Sequence, residues 1–133
     1  MAETLSAVVS GLREHGTVLA IALAGSHARG TATAQSDIDL VILAEDPATL
    51  LDNQDWISCA GTAVATGLED YGRLRSLRVQ YAGGLEIEFG ITDPSWAALP
   101  PDEGTAAVVS NGFRCLHDPD SLLIQLQDFV ARK

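Results

Sequence analysis

The stretch GSHARGTATAQSDIDLVIL, residues 25–43, decides the fold, and the apolar run TVLAIALA at residues 17–24 precedes it. The apolar run ends at a Gly-Ser pair, small and polar residues follow, and Asp37-Ile38-Asp39 leads into a second apolar run. This order predicts a strand, a tight turn, a short helix or loop, and a second strand. Because the first strand is apolar on both faces, we expect it in the interior of a sheet.

Two acidic residues, Asp37 and Asp39, stand at the start of the second predicted strand. Successive side chains of a strand point to opposite faces, so both carboxylates are expected on one face and the apolar residues that alternate with them on the other. Carboxylates this close repel each other, and a cation between them relieves the repulsion. Oxygen ligands suit a hard ion such as Mg²⁺, which keeps water or a substrate phosphate in its remaining positions.

The Gly-Ser pair at residues 25 and 26 predicts an anion-binding turn. Gly25 has no Cβ, so the backbone can approach a ligand closely. If Ser26 opens a helix, its hydroxyl and amide can donate to an anion at the positive end of the helix dipole. A metal-holding acid pair that faces a phosphate-binding turn is suited to a nucleoside triphosphate.

Gly25-Ser26, ten further residues and then Asp37-x-Asp39 form a pattern that resembles the signature of the nucleotidyltransferase superfamily. That superfamily includes DNA polymerase β, the aminoglycoside nucleotidyltransferases and the minimal nucleotidyltransferases. Residues 28–30, Ala-Arg-Gly, extend the resemblance, because the small members often read GSxARG. The resemblance implies an α/β (α+β) fold in which helices flank a small mixed sheet, as a single domain over residues 1–133.

A β-hairpin is predicted in the second half of the chain. Residues 77–81 (LRVQY) alternate apolar and polar side chains, a Gly-Gly pair supplies a two-residue turn, and residues 85–91 (LEIEFGI) alternate back. Glu86 and Glu88 share the polar face of the second arm. In an arbitrary hairpin two such acids most often face solvent.

The resemblance changes the interpretation of these glutamates, because it implies a third carboxylate on a later strand beside the Asp-x-Asp strand. Glu88 resembles that position, and Glu86 on the same face is the alternative. Many relatives carry aspartate there, and the extra methylene of glutamate moves the carboxylate by about 1.5 Å.

The resemblance also implies a mechanism with two Mg²⁺ ions. One ion, bound by Asp37 and Asp39, would hold the triphosphate with help from Gly25 and Ser26. A second ion, shared by Asp37, Asp39 and Glu88, would activate an acceptor hydroxyl for attack on the α-phosphorus of the triphosphate, expected to be ATP. Glu88 could also take the proton of the acceptor.

The cationic side chains near the motif have several interpretations. Arg29 is either a phosphate contact or a structural ion pair that holds the turn, and both alternatives stay open. Arg75 and Arg78 flank the first arm of the hairpin, and either could reach a phosphate, although solvated strand charges are the commoner interpretation. His27 is interpreted as a side chain that faces solvent.

Composition limits the classes of function. The chain has 133 residues, a length typical of one domain, and its net charge is −10 from 8 basic and 18 acidic residues. Duplex nucleic acid is therefore not an expected partner, whereas a cationic acceptor would be attracted.

We find no secretion signal and no apolar run long enough for a bilayer, so a cytoplasmic protein without membrane contacts is expected. The two cysteines are expected to be buried and to form neither a disulfide nor a zinc site.

The acceptor of the transferred nucleotide stays open. Small members of the superfamily modify either a hydroxyl of a small molecule such as an aminoglycoside, or a protein, as antitoxins of this kind modify a partner toxin. The competing interpretation is a catalytically inactive module that binds a nucleotide or a protein, for example an antitoxin-like partner of a toxin. The adjacent acids at 37 and 39 argue against it, since an inert domain has no physical reason to keep two like charges together.

Periodicity predicts the remaining elements. A helix over residues 4–15, with Thr4 as its N-cap, precedes the first strand. The other expected elements are a helix opened by Asp46-Pro47, one or two helical turns over 52–59, a short edge strand over 61–66, a loop over 67–73, a helix over 104–110, a strand over 113–116 and a last helix started by residues 118–121.

Overall fold

The computed structural model describes residues 2–132, which form one mixed sheet with helices on both faces. The helices and strands, in chain order, are α1 (Ala2–Arg13), β1 (Val18–Ala24), α2 (Gly25–Arg29), β2 (Ile38–Ala44), α3 (Pro47–Asp52), a first 3₁₀ helix (Asp55–Ala60), β3 (Ala63–Asp70), β4 (Arg75–Tyr81), β5 (Glu86–Thr92), a second 3₁₀ helix (Pro94–Ala97), α4 (Glu103–Ser110), β6 (Phe113–His117) and α5 (Leu122–Ala131).

The six strands lie in the order β3-β4-β5-β2-β1-β6. Each neighbouring pair is antiparallel except β2 and β5, which run parallel at the centre of the sheet. The connection between these two strands includes α3, the first 3₁₀ helix, β3 and β4. The central parallel pair therefore joins the Asp-x-Asp strand to the second arm of the hairpin.

Apolar residues cover both faces of the sheet. On one face, α1, α3 and Trp56 of the first 3₁₀ helix pack on alternate residues of β2 and β5, and the Trp56 and Phe89 rings meet edge to face at 4.9 Å. On the other face, α4, α5 and Trp96 pack on Val41 and Leu43 of β2 and on the alanines of β1. Asp39 alternates with Val41, so the acidic residues lie on the face that α4 and α5 cover.

Most predicted elements are confirmed. The first strand, Val18–Ala24, lies within the predicted apolar run, and the hairpin turns at Gly83 and Gly84, whose φ angles are 94° and 97°. The boundaries of two predicted elements were wrong. The first helix begins at Ala2, so Thr4 lies inside it. The segment after residue 66 is not a loop, because β3 continues to Asp70 through its pairing with β4.

The reason for the second difference is the exposure of β3. Its residues after Ala63 are all exposed, so neither apolar alternation nor burial marks the strand, and its backbone bonds to β4 define it. Cys59 also differs from expectation, since it is exposed, whereas Cys115 is partly buried. None of the helices within residues 2–132 has the length and apolar character needed to cross a membrane.

Candidate active site

Asp39 and Glu88 are direct neighbours across the central parallel pair of strands. Glu88 lies on β5 beside Asp39 on β2, and each alternates with apolar residues that point into the opposite face. The two carboxyl groups interact, and this interaction raises the pKa of Asp39 and lowers the pKa of Glu88. The structure thus brings together two of the three carboxylates that the sequence singled out.

The environment of Asp39 disfavours its charged form. Burial, the hydrogen bond to Glu88, and the charges of Glu88 and Asp37 together raise the pKa of Asp39 to about 7. Its Oδ1 atom is buried and accepts no hydrogen bond from the residues that the structure describes. Such an oxygen is costly without a partner, and a cation would both satisfy it and favour the ionised carboxylate.

The Gly-Ser turn lies directly against Asp39. Gly25 is the first residue of α2 and has a φ of +68°, and a Cβ built on it would lie 2.5 Å from Oδ2 of Asp39. Glycine is therefore needed here for both backbone conformation and space. Ser26 follows in the same short helix and is half-buried. The predicted anion-binding turn and the acid pair are adjacent in the fold.

Asp37 lies one residue before β2 and contacts a different glutamate. Burial and a hydrogen bond to Glu86 raise the pKa of Asp37, and the charges of Glu86 and Glu88 add to this effect. The acids thus form two pairs along the strands, Asp37 with Glu86 and Asp39 with Glu88. Within residues 2–132, no group of three or more His, Cys, Asp or Glu side chains is arranged to hold a metal ion.

Arg78 forms ion pairs with Glu86 and Glu88. The sequence did not indicate that this arginine belongs to the site. It lies on β4 opposite Glu88, to which Nε donates at 3.1 Å and Nη2 also donates. The same Nε lies 3.8 Å from Oε2 of Glu86. Arg78 is exposed, as expected for a solvated strand charge, but it also forms ion pairs with both glutamates, which the sequence did not predict. The predicted two-residue turn at Gly83 and Gly84 would pair residue 78 with residue 89, whereas the observed register pairs it with Glu88, so counting from the turn would not have found this contact.

The contact with Arg78 sets the charge of Glu88. Burial by itself would raise the pKa of Glu88, but the hydrogen bonds from Arg78 and Asp39 and the guanidinium charge outweigh burial, so this pKa is lowered. Glu88 is therefore the more acidic member of the pair, and Asp39 is the member that binds a proton first as the pH falls.

Replacement of Arg78 by alanine is expected to raise the pKa of Glu88. A carboxylate with a lowered pKa contributes stability above its unfolded value of 4.5 that is lost as the pH falls through the folded value. The variant should therefore be less stable than the parent near pH 7, and the difference should shrink below pH 4.5. Urea unfolding in EDTA at several pH values, with NMR titration of the Glu88 carboxyl, measures both effects. Arg78→Lys keeps the charge and serves as the control. An unchanged Glu88 titration in the alanine variant would contradict the assignment.

Two other side chains near the motif have structural contacts. Nη1 of Arg29 donates to the carbonyl of Asn111 at 2.6 Å, so Arg29 ties α2 to the turn after α4, and its partner is a carbonyl rather than an acid. His27 is half-buried, and its Nε2 lies 3.3 Å from the carbonyl of Ser36. The expectation that His27 faces solvent was wrong, because its ring contacts the loop that leads to Asp37.

A cavity of about 350 Å³ opens beside the acids. Asp39, Glu88 and Gly25 line one end of it, and the rest of its lining is mostly apolar. This size falls in the range of small-molecule sites, which combine apolar walls with a few placed polar groups.

Comparison with known proteins agrees with this geometry. A family model of the nucleotidyltransferase domain matches residues 5–78, more than half of the chain. A search of curated proteins gave no significant match. Among solved structures, the fold is similar to an aminoglycoside 6-adenyltransferase from Bacillus subtilis (TM-score 0.54, 11% identity, 73% of this chain and 37% of that chain). It is also similar to a nucleotidyltransferase-like protein from Exiguobacterium sibiricum (TM-score 0.51, 16% identity, 98% of this chain and 38% of that chain).

These structural likenesses concern the fold, and the chain spans little more than a third of the length of either neighbour. The family model covers most of α1, both strands of the Gly-Ser and Asp-x-Asp motif, and the chain up to Arg78. The protein belongs to the nucleotidyltransferase domain family.

Proposed function

We propose that this protein is a metal-dependent nucleotidyltransferase that transfers a nucleoside monophosphate from a nucleoside triphosphate to a hydroxyl group. The observation that carries the proposal is the position of Asp39, between the carboxylate of Glu88 and the Gly25 turn. Membership of the family supports the reaction class. We extend the proposal to the whole chain as one nucleotidyltransferase domain.

The acidic residues have the chemistry that Mg²⁺ requires. Their donors are oxygens only, and the buried Oδ1 of Asp39 has no hydrogen-bond partner among the described residues, which favours a cation at this point. Asp37, Asp39 and Glu88 would hold the ions, with Glu86 as the alternative to Glu88. When bound, Mg²⁺ would neutralise charge on the triphosphate and on the departing pyrophosphate. Arg78 would have to release Glu88 for that carboxylate to take part.

The chain's own groups have separate roles in this proposal. Gly25 and Ser26 would hold the phosphates through backbone amides and the serine hydroxyl, and Arg29 could reach a phosphate with its remaining donors. Glu88, the ionised acid, would accept the proton of the acceptor hydroxyl. The acceptor oxygen then forms a bond to the α-phosphorus as the bond from the α-phosphorus to the bridging oxygen breaks, and pyrophosphate leaves.

Adenosine triphosphate is the proposed donor. One structural neighbour is an adenyltransferase that acts on aminoglycosides, which supports an adenylyl donor and a cationic small molecule as acceptor. The net charge of −10 is compatible with a cationic acceptor of either kind, an aminoglycoside-like molecule or a basic patch of a toxin-type protein.

A module that binds nucleotide or protein without catalysis is the second candidate. It is favoured by the contact of Arg78 with Glu88, because the guanidinium neutralises the proposed general base without any metal ion. The paired glutamates make the two candidates separable by experiment.

Replacement of Glu88 by glutamine should lower transfer about a hundredfold, because the variant cannot accept a proton and loses a negative ligand. Glu86→Gln is the matched control, since it lies on the same face of the same strand and also lies near Arg78. We expect a smaller loss in this control. Transfer is measured with α-labelled ATP and Mg²⁺ added to a cell lysate, where a labelled protein band or a labelled low-mass product identifies the acceptor class.

The same assay can reject the proposal. Label that appears in neither fraction, with no pyrophosphate released by the parent protein, would favour the non-catalytic module. Equal losses in both glutamine variants would contradict the distinct role of Glu88.

A further inference from the structure

The apolar part of the cavity beside the acids has a shape set by a glycine. Gly90 lies two residues after Glu88 on β5, so both are on the same face of the sheet. A Cβ at Gly90 would lie 3.1 Å from Cδ1 of Leu74 and 3.1 Å from the carbonyl of Leu40. The absent side chain lets Leu74 lie over the sheet, where it lines the cavity next to Glu88 together with Val108 of α4.

An exposed tyrosine stands at the rim of this cavity. Tyr71 follows β3, and its side chain is exposed although it is large and aromatic, with a relative exposure of 61%. Its backbone is fixed by the turn, where the Tyr71 amide donates to the carbonyl of Leu74 at 2.9 Å and the Gly72 amide donates to Asp70 Oδ1 at 2.8 Å. Its hydroxyl donates to the Glu69 carboxylate at 2.7 Å. An aromatic ring is thus held in water at the edge of an apolar cavity.

The same tyrosine links two cavities. A second cavity, of about 330 Å³, shares Tyr71, Leu74 and Val108 with the first and continues away from the acids towards Trp96. The acids at 39 and 88 therefore lie at one end of a groove whose middle is apolar and whose outer wall is an aromatic ring. The buried Ser76 adds one hydroxyl to the lining of the first cavity.

We propose that the cavity beside Glu88 is the nucleobase subsite and that the Tyr71 ring stacks on the base of the triphosphate. This inference rests on the proposed function. A nucleobase has apolar faces and polar edges, which match an apolar floor, an aromatic wall and a single serine hydroxyl. A cationic acceptor would instead need acidic groups beside it, and in this groove the acids lie at the two ends, Asp39 and Glu88 at one and Asp102 at the other, rather than in the apolar middle. With its base here, the triphosphate extends towards Asp39 and Gly25.

The test compares a ligand that carries a nucleobase with one that has only phosphates. The probes are α,β-methylene-ATP and inorganic tripolyphosphate, each with Mg²⁺, and binding is measured by titration calorimetry. We expect Tyr71→Ala to weaken α,β-methylene-ATP about tenfold to a hundredfold and to leave tripolyphosphate unchanged. Tyr71→Phe should retain the affinity, since it keeps the ring and loses only the hydroxyl that contacts Glu69.

Two further variants complete the design. Gly90→Val should weaken the analogue and spare tripolyphosphate, because its side chain would occupy the space next to Leu74. Leu68→Ala is the matched control. Leu68 lies on β3, shortly before Tyr71, is 53% exposed and does not line the cavity, so this variant should bind both probes as the parent does.

Three outcomes would overturn the inference. Equal affinity of parent and Tyr71→Ala for the analogue would show that the ring does not contact the base. Equal weakening of both probes would place the tyrosine at the phosphates. An unchanged affinity of Gly90→Val for α,β-methylene-ATP would show that the nucleobase does not occupy the cavity. A parent protein that binds neither probe would instead reject the proposed function itself, together with the subsite that rests on it.

Discussion

Replacing Asp39 with asparagine should lower nucleotidyl transfer by roughly a thousandfold while the protein stays folded. The change removes the charge that would face the reacting phosphate through a bound cation, and removal of one such preorganised group typically costs about a hundred- to a thousandfold. We place the loss at the upper end because the buried Oδ1 has no other partner within the described residues. Label transfer from α-labelled ATP measures it, with transfer compared at saturating Mg²⁺.

The same variant should be more stable than its parent in EDTA at neutral pH and above. The folded pKa of Asp39 is about 7 against an ordinary value of 3.8, so the folded state binds more protons between these values and loses stability as the pH rises through them. An asparagine amide can still donate to Glu88 and has no charge to bury. After a discount for the partial exposure of Asp39, we expect a gain of about 1–2 kcal/mol at pH 8 and none below pH 3.8.

Urea unfolding across this pH range checks the stability arm of the prediction. Asp70→Asn is a suitable control, because Asp70 caps an exposed turn on β3 and does not line the cavity at the acids. A stability gain for Asp39→Asn that is the same at all pH values would argue against a raised pKa. Retained transfer would remove Asp39 from the proposed site.

Gly112→Ala should destabilise the protein by about 2–5 kcal/mol. Gly112 has a φ of +126°, which an alanine adopts only under strain, and its Cβ would lie 2.5 Å from Cγ of Arg29 and 2.8 Å from the carbonyl of Gly25. The amide of Gly25 also donates to the Gly112 carbonyl at 3.2 Å. Any relief of the clash therefore moves the Gly-Ser turn, so the fraction that folds should also bind Mg²⁺ and tripolyphosphate more weakly.

Gly30→Ala is the control variant, because it introduces the backbone strain of a positive φ without a steric clash. Gly30 ends α2 with a φ of +80°, but a Cβ there meets no atom within 4 Å. Its cost should be the conformational one alone, about 1–2 kcal/mol. Thermal and urea unfolding of both variants give the comparison. Equal destabilisation would mean that the contact of Gly112 with Arg29 and Gly25 relaxes without cost.

Local patterns in the sequence were enough to predict much of the fold. The alternation after Asp37 placed Asp39 on the face opposite Ile38, and the Gly-Gly pair located the hairpin, because both features depend on neighbouring residues only. The far half of β3 could not be predicted in this way. Gly67 and the acids at its end resemble a loop, and only hydrogen bonds to β4 make it a strand.

The site was less accessible to sequence reasoning than the fold. Nothing near Asp39 specifies that β5 pairs with β2, and that expectation came from the resemblance to the superfamily. The contact of Arg78 with Glu88 depends on a register shifted by one residue from that of a two-residue turn at Gly83 and Gly84, so counting from the turn could not predict it. The contact of Arg29 with the Asn111 carbonyl joins distant parts of the chain and left no local signal.

The parallel pairing of β2 with β5 has a consequence for how the protein matures. Synthesis delivers Asp39 well before Glu88, and every element from α3 to β4 lies between them. Such long-range strand pairing forms late in folding, because it requires the entropic cost of closing a long loop. A nascent chain would therefore carry Asp39 long before Glu88 can join it, and the Gly25 turn would gain its hydrogen bond to Gly112 later still. On the proposed mechanism, partly made chains would therefore be unable to transfer a nucleotide.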